Sequence, residues 1–339
     1  MSAGDGSGRA LGRWWWDHVV LYVLAGLELL VQLWHDLVLA HGWDRKIEAQ
    51  LPDVHGQCIV VTGGCTGLGH EVSRLLAQRG ALVLVGCHHH SGGNICPCDV
   101  QEFGVPLPLD LSCPESIVTF ARQVKVRAPN GVHLVVLNAG VLLAPPLHGY
   151  DAQYLINVHG HAQLLQLLTL AAGPSHQSRV LAISSSTSAY WPSLPTDYLQ
   201  RASPATGPNP QARWSLARSY AYSKLALRHM VAAFADRADV RALVAHPGIV
   251  CTHLYRAVPQ PLRLVYELAA PWLLRSPRQG ALAVLAPLVA AALPAASEAQ
   301  LTPAPHLHAL LPQAVQHRLQ VTPQAQLGST LLLAPSRVC

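Results

Sequence analysis

Short apolar runs alternate with stretches of helical periodicity along most of this chain. Residues 58–62 form an apolar run that enters a glycine turn, and Leu68, Val72, Leu75 and Leu76 then recur at helical spacing until Gly80 stops the helix. A second buried run, 81–86, follows at once, which makes a strand, turn, helix, strand unit of the kind that builds a parallel sheet. Further strands are predicted at 133–138, 179–184 and 240–245, separated by helical stretches at 117–125, 153–171 and 220–236. Residues 105–109 also read as a strand, but Pro106 and Pro108 each lack a ladder donor, so this strand belongs at a sheet edge. The alternation predicts an α/β fold with a doubly wound parallel sheet.

The N-terminus follows a different pattern. Residues 19–34 read VVLYVLAGLELLVQLW, interrupted only by Glu28 and Gln32, with Trp14, Trp15 and Trp16 before them and Trp34 and Trp43 at the far end. As a helix this run spans about 24 Å, short of the roughly 30 Å hydrocarbon core of a bilayer, and a carboxylate at mid-membrane adds a cost of a few kcal/mol. The tryptophans suit an interface, so residues 14–43 are expected to lie on a membrane or lipid surface as an anchor or monotopic helix. A cleaved signal peptide and an ordinary core helix are the competing readings. Three regions result: an apolar anchor segment at 1–50, a single catalytic domain at 51–293, and a tail at 294–339 rich in Pro, Ala, Gln and His without periodicity.

Composition sharpens this picture. Hydrophobic residues make up 50% of the 339 and charged ones 12%, against about 25% charged in an average soluble protein, so part of the surface is expected to meet lipid or an apolar ligand. The formal charge of +5 is spread thinly, with no dense run of Lys or Arg, which argues against a nucleic-acid partner. The chain is long enough not to need disulfides, and its eight cysteines are expected to be reduced, in a domain facing the cytosol.

Two constellations carry chemistry. Gly63, Gly67 and Gly69 form G-x3-G-x-G between a predicted strand and helix, where the backbone must turn sharply and let a pyrophosphate approach the helix N-terminus. This makes the sheet Rossmann-type. About 20 residues on, where such a fold places a ribose-binding acid, the chain reads Gly86-Cys87-His88-His89-His90, which leaves NAD(H) and NADP(H) both open. Cys87 to His90 followed by Cys96-Pro97-Cys98 lacks zinc-ligand spacing, and no metal is expected. Tyr220 and Lys224 stand four apart on a predicted helix and so share a face. Bringing a phenol from near pH 10 to near 7 takes about 4 kcal/mol of preference for phenolate, for which an adjacent ammonium and an oxidised nicotinamide are suitable sources. Ser184 and Ser185 end a predicted strand, where a hydroxyl can meet a substrate oxygen, and Asn157 lies in a helical run it does not favour, which invites a role in proton relay.

In order along the chain, TGGCTGLG at 62–69, Asp110-Leu111, Asn138-Ala139-Gly140, Asn157, the strand-end serines, Tyr220 with Lys224, and Pro247-Gly248 with Thr252 resemble a short-chain dehydrogenase/reductase over about residues 55–290. HPGIVCTHLY at 246–255 and RSPRQGA at 275–281 are similar to the retinol dehydrogenase-like branch. The resemblance implies a cofactor site of Gly63, Thr66, Gly67, Leu68, Gly69, Asp110, Leu111, Asn138, Ala139, Gly140, Tyr220, Lys224, Pro247, Gly248 and Thr252. It implies catalysis by Tyr220, Lys224, Ser185 and Asn157, and favours Ser185 over Ser184. Departures are the single asparagine in Leu137-Asn138, the long span from Ser185 to Tyr220, and a stretch at 88–104 without a helical pattern.

The expected activity is NAD(P)-dependent interconversion of a hydrophobic alcohol and its carbonyl. The resemblance favours a polyprenoid, with retinoid or steroid as alternatives, and the apolar stretch at 253–274 suits such a substrate as a lid. A non-catalytic nucleotide-binding protein of the same fold is the competing class. The endoplasmic reticulum membrane or a lipid-droplet surface is the expected location, with secretion as the alternative and an oligomer compatible with the sequence.

Overall fold

The computed structural model describes residues 42–88, 98–171, 178–190, 215–235, 240–252 and 274–290, with positions 19, 22, 23, 26–30, 32, 33, 193–195, 198, 254, 255, 258, 263 and 264. The tail at 294–339, most of the lid at 253–274 and His89 to Pro97 lie outside the described residues. Six parallel strands, β1 (Cys58–Thr62), β2 (Leu82–Cys87), β3 (Val105–Pro108), β4 (Leu134–Leu137), β5 (Ser178–Ile183) and β6 (Val240–Ala245), form one sheet in the order β3-β2-β1-β4-β5-β6. The order reverses between β1 and β4, which opens a crevice at the carboxyl ends of these two strands.

Both faces of the sheet are covered, which explains why its strands read as continuous apolar runs. Val60, Leu84, Val135, Leu137 and Val180 point to one face, under α3 (Pro114–Arg127), α4 and α6 (Leu216–Ala235). Helix α4 runs from Ala152–Tyr154 through a π-helical segment, Leu155–His159, into Gly160–Leu167. Ile59, Val61, Val83, Val136 and Leu181 point to the other face, under α1 (Trp43–Gln50), α2 (Gly67–Gln78) and α7 (Pro277–Ala290). A short helix, α5 (Thr187–Tyr190), follows β5.

Pro106 and Pro108 sit on edge strand β3, whose alternate residues face the single neighbour: Leu109, in step with Val105 and Leu107, donates its N–H to Cys87 O at 2.8 Å. The two prolines therefore turn their donor-less nitrogens to the open side. The helix expected to reach 171 stops at Leu167: Ala171 N instead donates to Val132 O and Val132 N to Thr169 O, each at 2.9 Å, and a Cβ at Gly131 would lie 2.6 Å from Ala171 N. Helix α7 has no amphipathic signal in the sequence and is buried all round, packed on α1, α2 and β6. The core also draws in residues before position 51, since Ile47 of α1 is fully buried and Glu48 pairs with Arg278 of α7. Among the described residues no helix is long and apolar enough to cross a membrane.

Leu109 and Phe120 pack against Gly86, and Phe120 has no exposed surface. Phe120→Ala is expected to destabilise the domain by about 3–5 kcal/mol, read as a lower urea midpoint with an unchanged slope.

Candidate active site

The glycine turn lies in the crevice between β1 and β4. Gly63 and Gly67 hold φ of 63° and 54°, the left-handed region. At Gly69 a Cβ would lie 2.3 Å from Asn138 Nδ2 and 2.4 Å from Gly63 O, so this position admits only glycine. Asn138, just past β4, donates from Nδ2 to Thr62 O at 2.8 Å and Gly63 O at 3.0 Å, fixing the turn from the neighbouring strand. The turn thus presents the start of α2, with its unpaired backbone donors at Leu68 and Gly69, to the open end of the sheet, and Thr252 stands over Gly67. This fits the pyrophosphate of a dinucleotide.

A buried histidine that the sequence reading missed ties this turn to α4. His161 Nδ1 faces Asn157 O at 3.0 Å; a carbonyl only accepts, so Nδ1 carries the proton and Nε2 accepts from Thr62 Oγ1 at 2.9 Å. Thr62 Oγ1 in turn accepts from the N–H groups of Asn138 and Ala139, each at 3.0 Å. Burial holds His161 neutral, with its pKa down to about 4, and the nearby Lys224 charge acts in the same direction. Asn157 itself accepts from Val141 N at 2.8 Å and donates to Val141 O at 3.1 Å and Ser223 Oγ at 2.9 Å. Its side chain is thus spent on fixing the Gly140 segment to α6, a positioning task. A Cβ at Gly140 would sit 3.2 Å from Asn157 Oδ1 and 3.4 Å from Lys224 Nζ.

Tyr220 and Lys224 occupy one face of α6, both buried. Lys224 Nζ donates to Ile183 O, the last residue of β5, at 3.0 Å and lies 5.8 Å from the Tyr220 ring centroid. Burial lowers the Lys224 pKa to about 8, which still leaves an ammonium at neutral pH. Burial also pushes the Tyr220 phenol well up, against a downward pull from the Ser185 hydroxyl bonded to it, while the Glu28 carboxylate adds to the rise. The lowered phenol anticipated from the sequence is therefore absent from the chain alone. Ser184 turns away, toward Ser188 Oγ and Lys224 O, each at 3.4 Å. Tyr222 packs on Tyr198 in the core, ring centroids 5.5 Å apart.

Just past β3, Asp110 is held well below the usual carboxylate range by hydrogen bonds from His88 and Ser112, and its N–H donates to Ser116. Leu111 O packs so closely on α4 that position 160 must be glycine. Cys65, in the glycine turn, is disulfide-bonded to Cys87 at the end of β2. The expectation of wholly reduced thiols is corrected at this pair: the turn brings two residues 22 apart in sequence to a Cα separation of 5.7 Å, within disulfide reach. Cys87, at the start of the CHHH run, is thereby taken up as a disulfide partner. Beyond β6, Pro247 O accepts from Arg275, and Ile249 and Cys251 pair with the Arg275 backbone, which sets the segment carrying Gly248 and Thr252 across the crevice.

The N-terminal segment also reaches the site. Residues 19, 22, 23, 26–30, 32 and 33 are helical, with Val23, Leu27 and Leu30 exposed. Glu28 and Gln32 turn inward instead, onto Ser186, His246 and Ile249. Their i, i+4 spacing opposite the apolar stripe was the available signal.

A family model described as short chain dehydrogenase matches residues 57–196. Human polyprenol dehydrogenase is 30% identical over 254 residues, 69% of this chain and 73% of the relative. Human retinol dehydrogenase 12 is 30% identical over 247 residues, 70% and 73% of the two chains. Among solved structures, a blue fluorescent protein from a metagenomic library, in complex with NADPH, superposes with a TM-score of 0.51 at 23% identity, over 69% of this chain and 92% of its own.

The buried neutral His161 gives a stability dependence on pH. Its folded pKa is depressed below the ordinary 6.5, so its contribution is complete above about 6.5 and is lost as pH falls toward about 4, where the unfolded chain binds the extra proton. His159, also held to about 4 by burial, acts in the same window. Urea unfolding is expected to show stability falling by up to about 1.4 kcal/mol per pH unit for each histidine, and His161→Gln should make the slope shallower by one proton.

Proposed function

Since the chain belongs to the short-chain dehydrogenase family, we propose that this oxidoreductase interconverts a polyprenoid-type alcohol and its aldehyde or ketone, with Tyr220 as acid and base. The observation that carries this reading is the buried pair of Tyr220 and Lys224 on one face of α6, with the Ser185 hydroxyl bonded to the phenol at the carboxyl end of β5. The names of the two human relatives, which act on polyprenol and retinol, support a lipid alcohol over a small polar one.

In the oxidative direction the Tyr220 phenolate takes the proton of the substrate hydroxyl, Ser185 donates to the same oxygen, and the hydride leaves the carbinol carbon. In the reductive direction the phenol returns that proton to the oxygen of the carbonyl. A nicotinamide cofactor, NAD(H) or NADP(H), held at the glycine turn would accept or supply the hydride, and its cationic oxidised ring would oppose the burial that holds the Tyr220 phenol neutral. Lys224 adds a second positive charge beside the ring, fixed by its bond to Ile183 O. Gly63, Thr66, Gly67, Leu68 and Gly69 hold the pyrophosphate, Asp110 and Leu111 the adenine, Asn138, Ala139 and Gly140 the sheet side of the cofactor, and Pro247, Gly248 and Thr252 the nicotinamide amide. Asn157 supports the proton relay and ties the Gly140 segment to α6.

The exposed stripe of Val23, Leu27 and Leu30 supports seating of residues 14–43 on a membrane or lipid surface, from which a long apolar substrate enters. We place that surface at the endoplasmic reticulum.

Tyr220→Phe is expected to lower turnover by about 100-fold or more while keeping dinucleotide binding. The measurement pairs lipid alcohols and aldehydes with each nicotinamide cofactor in membranes containing the protein, alongside fluorescence titration of NADH and NADPH. Turnover of small polar carbonyls only would reject the lipid substrate, and retained turnover in the variant would reject Tyr220.

A further inference from the structure

Resting on the assignment of Tyr220 as the acid–base group, we propose that Glu28 is a positioning residue of the reaction site, whose carboxylate clamps the segment after β5 to the segment after β6 and sets a negative charge against the phenol. Its two oxygens reach two different loops. Oε2 accepts from Ser186 Oγ, the residue after Ser185, and Oε1 accepts from His246 Nε2 at 2.5 Å, the residue before Pro247. These partners lie 158 and 218 residues away in sequence, so the bridge exists only because the N-terminal helix crosses the open end of the sheet.

One turn further on, Gln32 repeats the arrangement. Its Oε1 accepts from Ile249 N at 2.7 Å, its Nε2 donates to Ile249 O at 3.3 Å, and a Cβ at Gly248 would meet Oε1 at 2.4 Å. The residues expected to line the nicotinamide amide are thereby tied to the N-terminal helix. Glu28 and His246 are both 14% exposed, so the carboxylate acts through a dry environment where its field is weakly screened. An ionisable side chain in so apolar a helix is costly without partners; here it has two, and the apolar stripe faces the other way.

The charged and titratable groups facing the phenol come from three elements. Lys224 on α6 stands with its Nζ 5.8 Å from the Tyr220 ring centroid and the Ser185 hydroxyl after β5 favours phenolate, while Glu28 from the N-terminal helix opposes it, with His246 after β6 facing Glu28 rather than the phenol. Glu28 therefore adds to the burial that holds Tyr220 in the protonated form that donates in carbonyl reduction, and further restrains the phenolate needed for alcohol oxidation.

The test uses the full-length protein with Glu28→Gln, which keeps hydrogen bonding without the charge, Glu28→Ser as a second neutral variant, and Glu28→Asp, which restores the charge. Ultraviolet difference titration against Tyr220→Phe, in the presence of oxidised dinucleotide, isolates the Tyr220 phenolate and requires no substrate. In either neutral variant phenolate is expected to appear about half to one pH unit lower, and the acidic limb of alcohol oxidation should move with it, a gain of about three- to tenfold on that limb. Glu28→Asp should return the titration toward its original position. An unchanged phenolate titration in both neutral variants overturns the proposal, as does loss of stability with an unmoved titration, the mark of a structural role alone. A wrong substrate class would silence turnover in the unsubstituted enzyme but leave this titration intact; turnover surviving Tyr220→Phe would instead remove the acid–base premise.

Discussion

The Thr62 hydroxyl is the point on which the reaction site depends. One oxygen at the end of β1 accepts from two successive N–H groups past β4 and donates to an imidazole that carries the connection on to α4. All of these atoms are buried or nearly so, and a buried polar group left unpaired costs about 1–3 kcal/mol. The β1 turn, the Asn138–Gly140 segment and the π segment of α4 are consequently held in one relative position. A π-helical segment leaves its wider turn where backbone must accommodate another group, and here the carbonyl of Asn157 meets His161.

From that fixed frame, burial decides the electrostatics. Tyr220, Lys224 and His161 all lie where water does not reach, and each is pushed toward its neutral form. Lys224 starts high enough to keep its proton at neutral pH, so a cation remains among neutral neighbours. A low-dielectric site of this kind makes any further charge count for more than it would in water. The Glu28 carboxylate acts on the phenol in the same sense as burial, and the chain alone leaves it protonated.

Much of the fold was legible from local pattern because the sheet is buried on both faces and its strands read as unbroken apolar runs. β1 and β6 fall where the pattern put them, and β2, β4 and β5 differ at their ends by a residue, as fraying ends do. The two prolines located an edge strand, since only an edge tolerates a missing donor. Helix α7 escaped notice for the converse reason: wrapped by α1, α2 and β6, it needs no polar face, so it carries no period. The reading of the N-terminus as an anchor rested on the apolar run at 19–34 and its flanking tryptophans, and treated Glu28 and Gln32 as interruptions.

What the amino-acid order determined by itself is whatever depends on neighbours in sequence: the glycine turn, the strand and helix alternation, and a phenol and an amine one turn apart on a helix. Tertiary structure alone decided that His161 bridges two elements, that Cys65 finds Cys87, and that Glu28 spans segments far along the chain. The physical reason is that hydrogen bonds and charge interactions act over a few ångströms of space, and only the parallel sheet, with its crossovers, brings such distant residues to one edge.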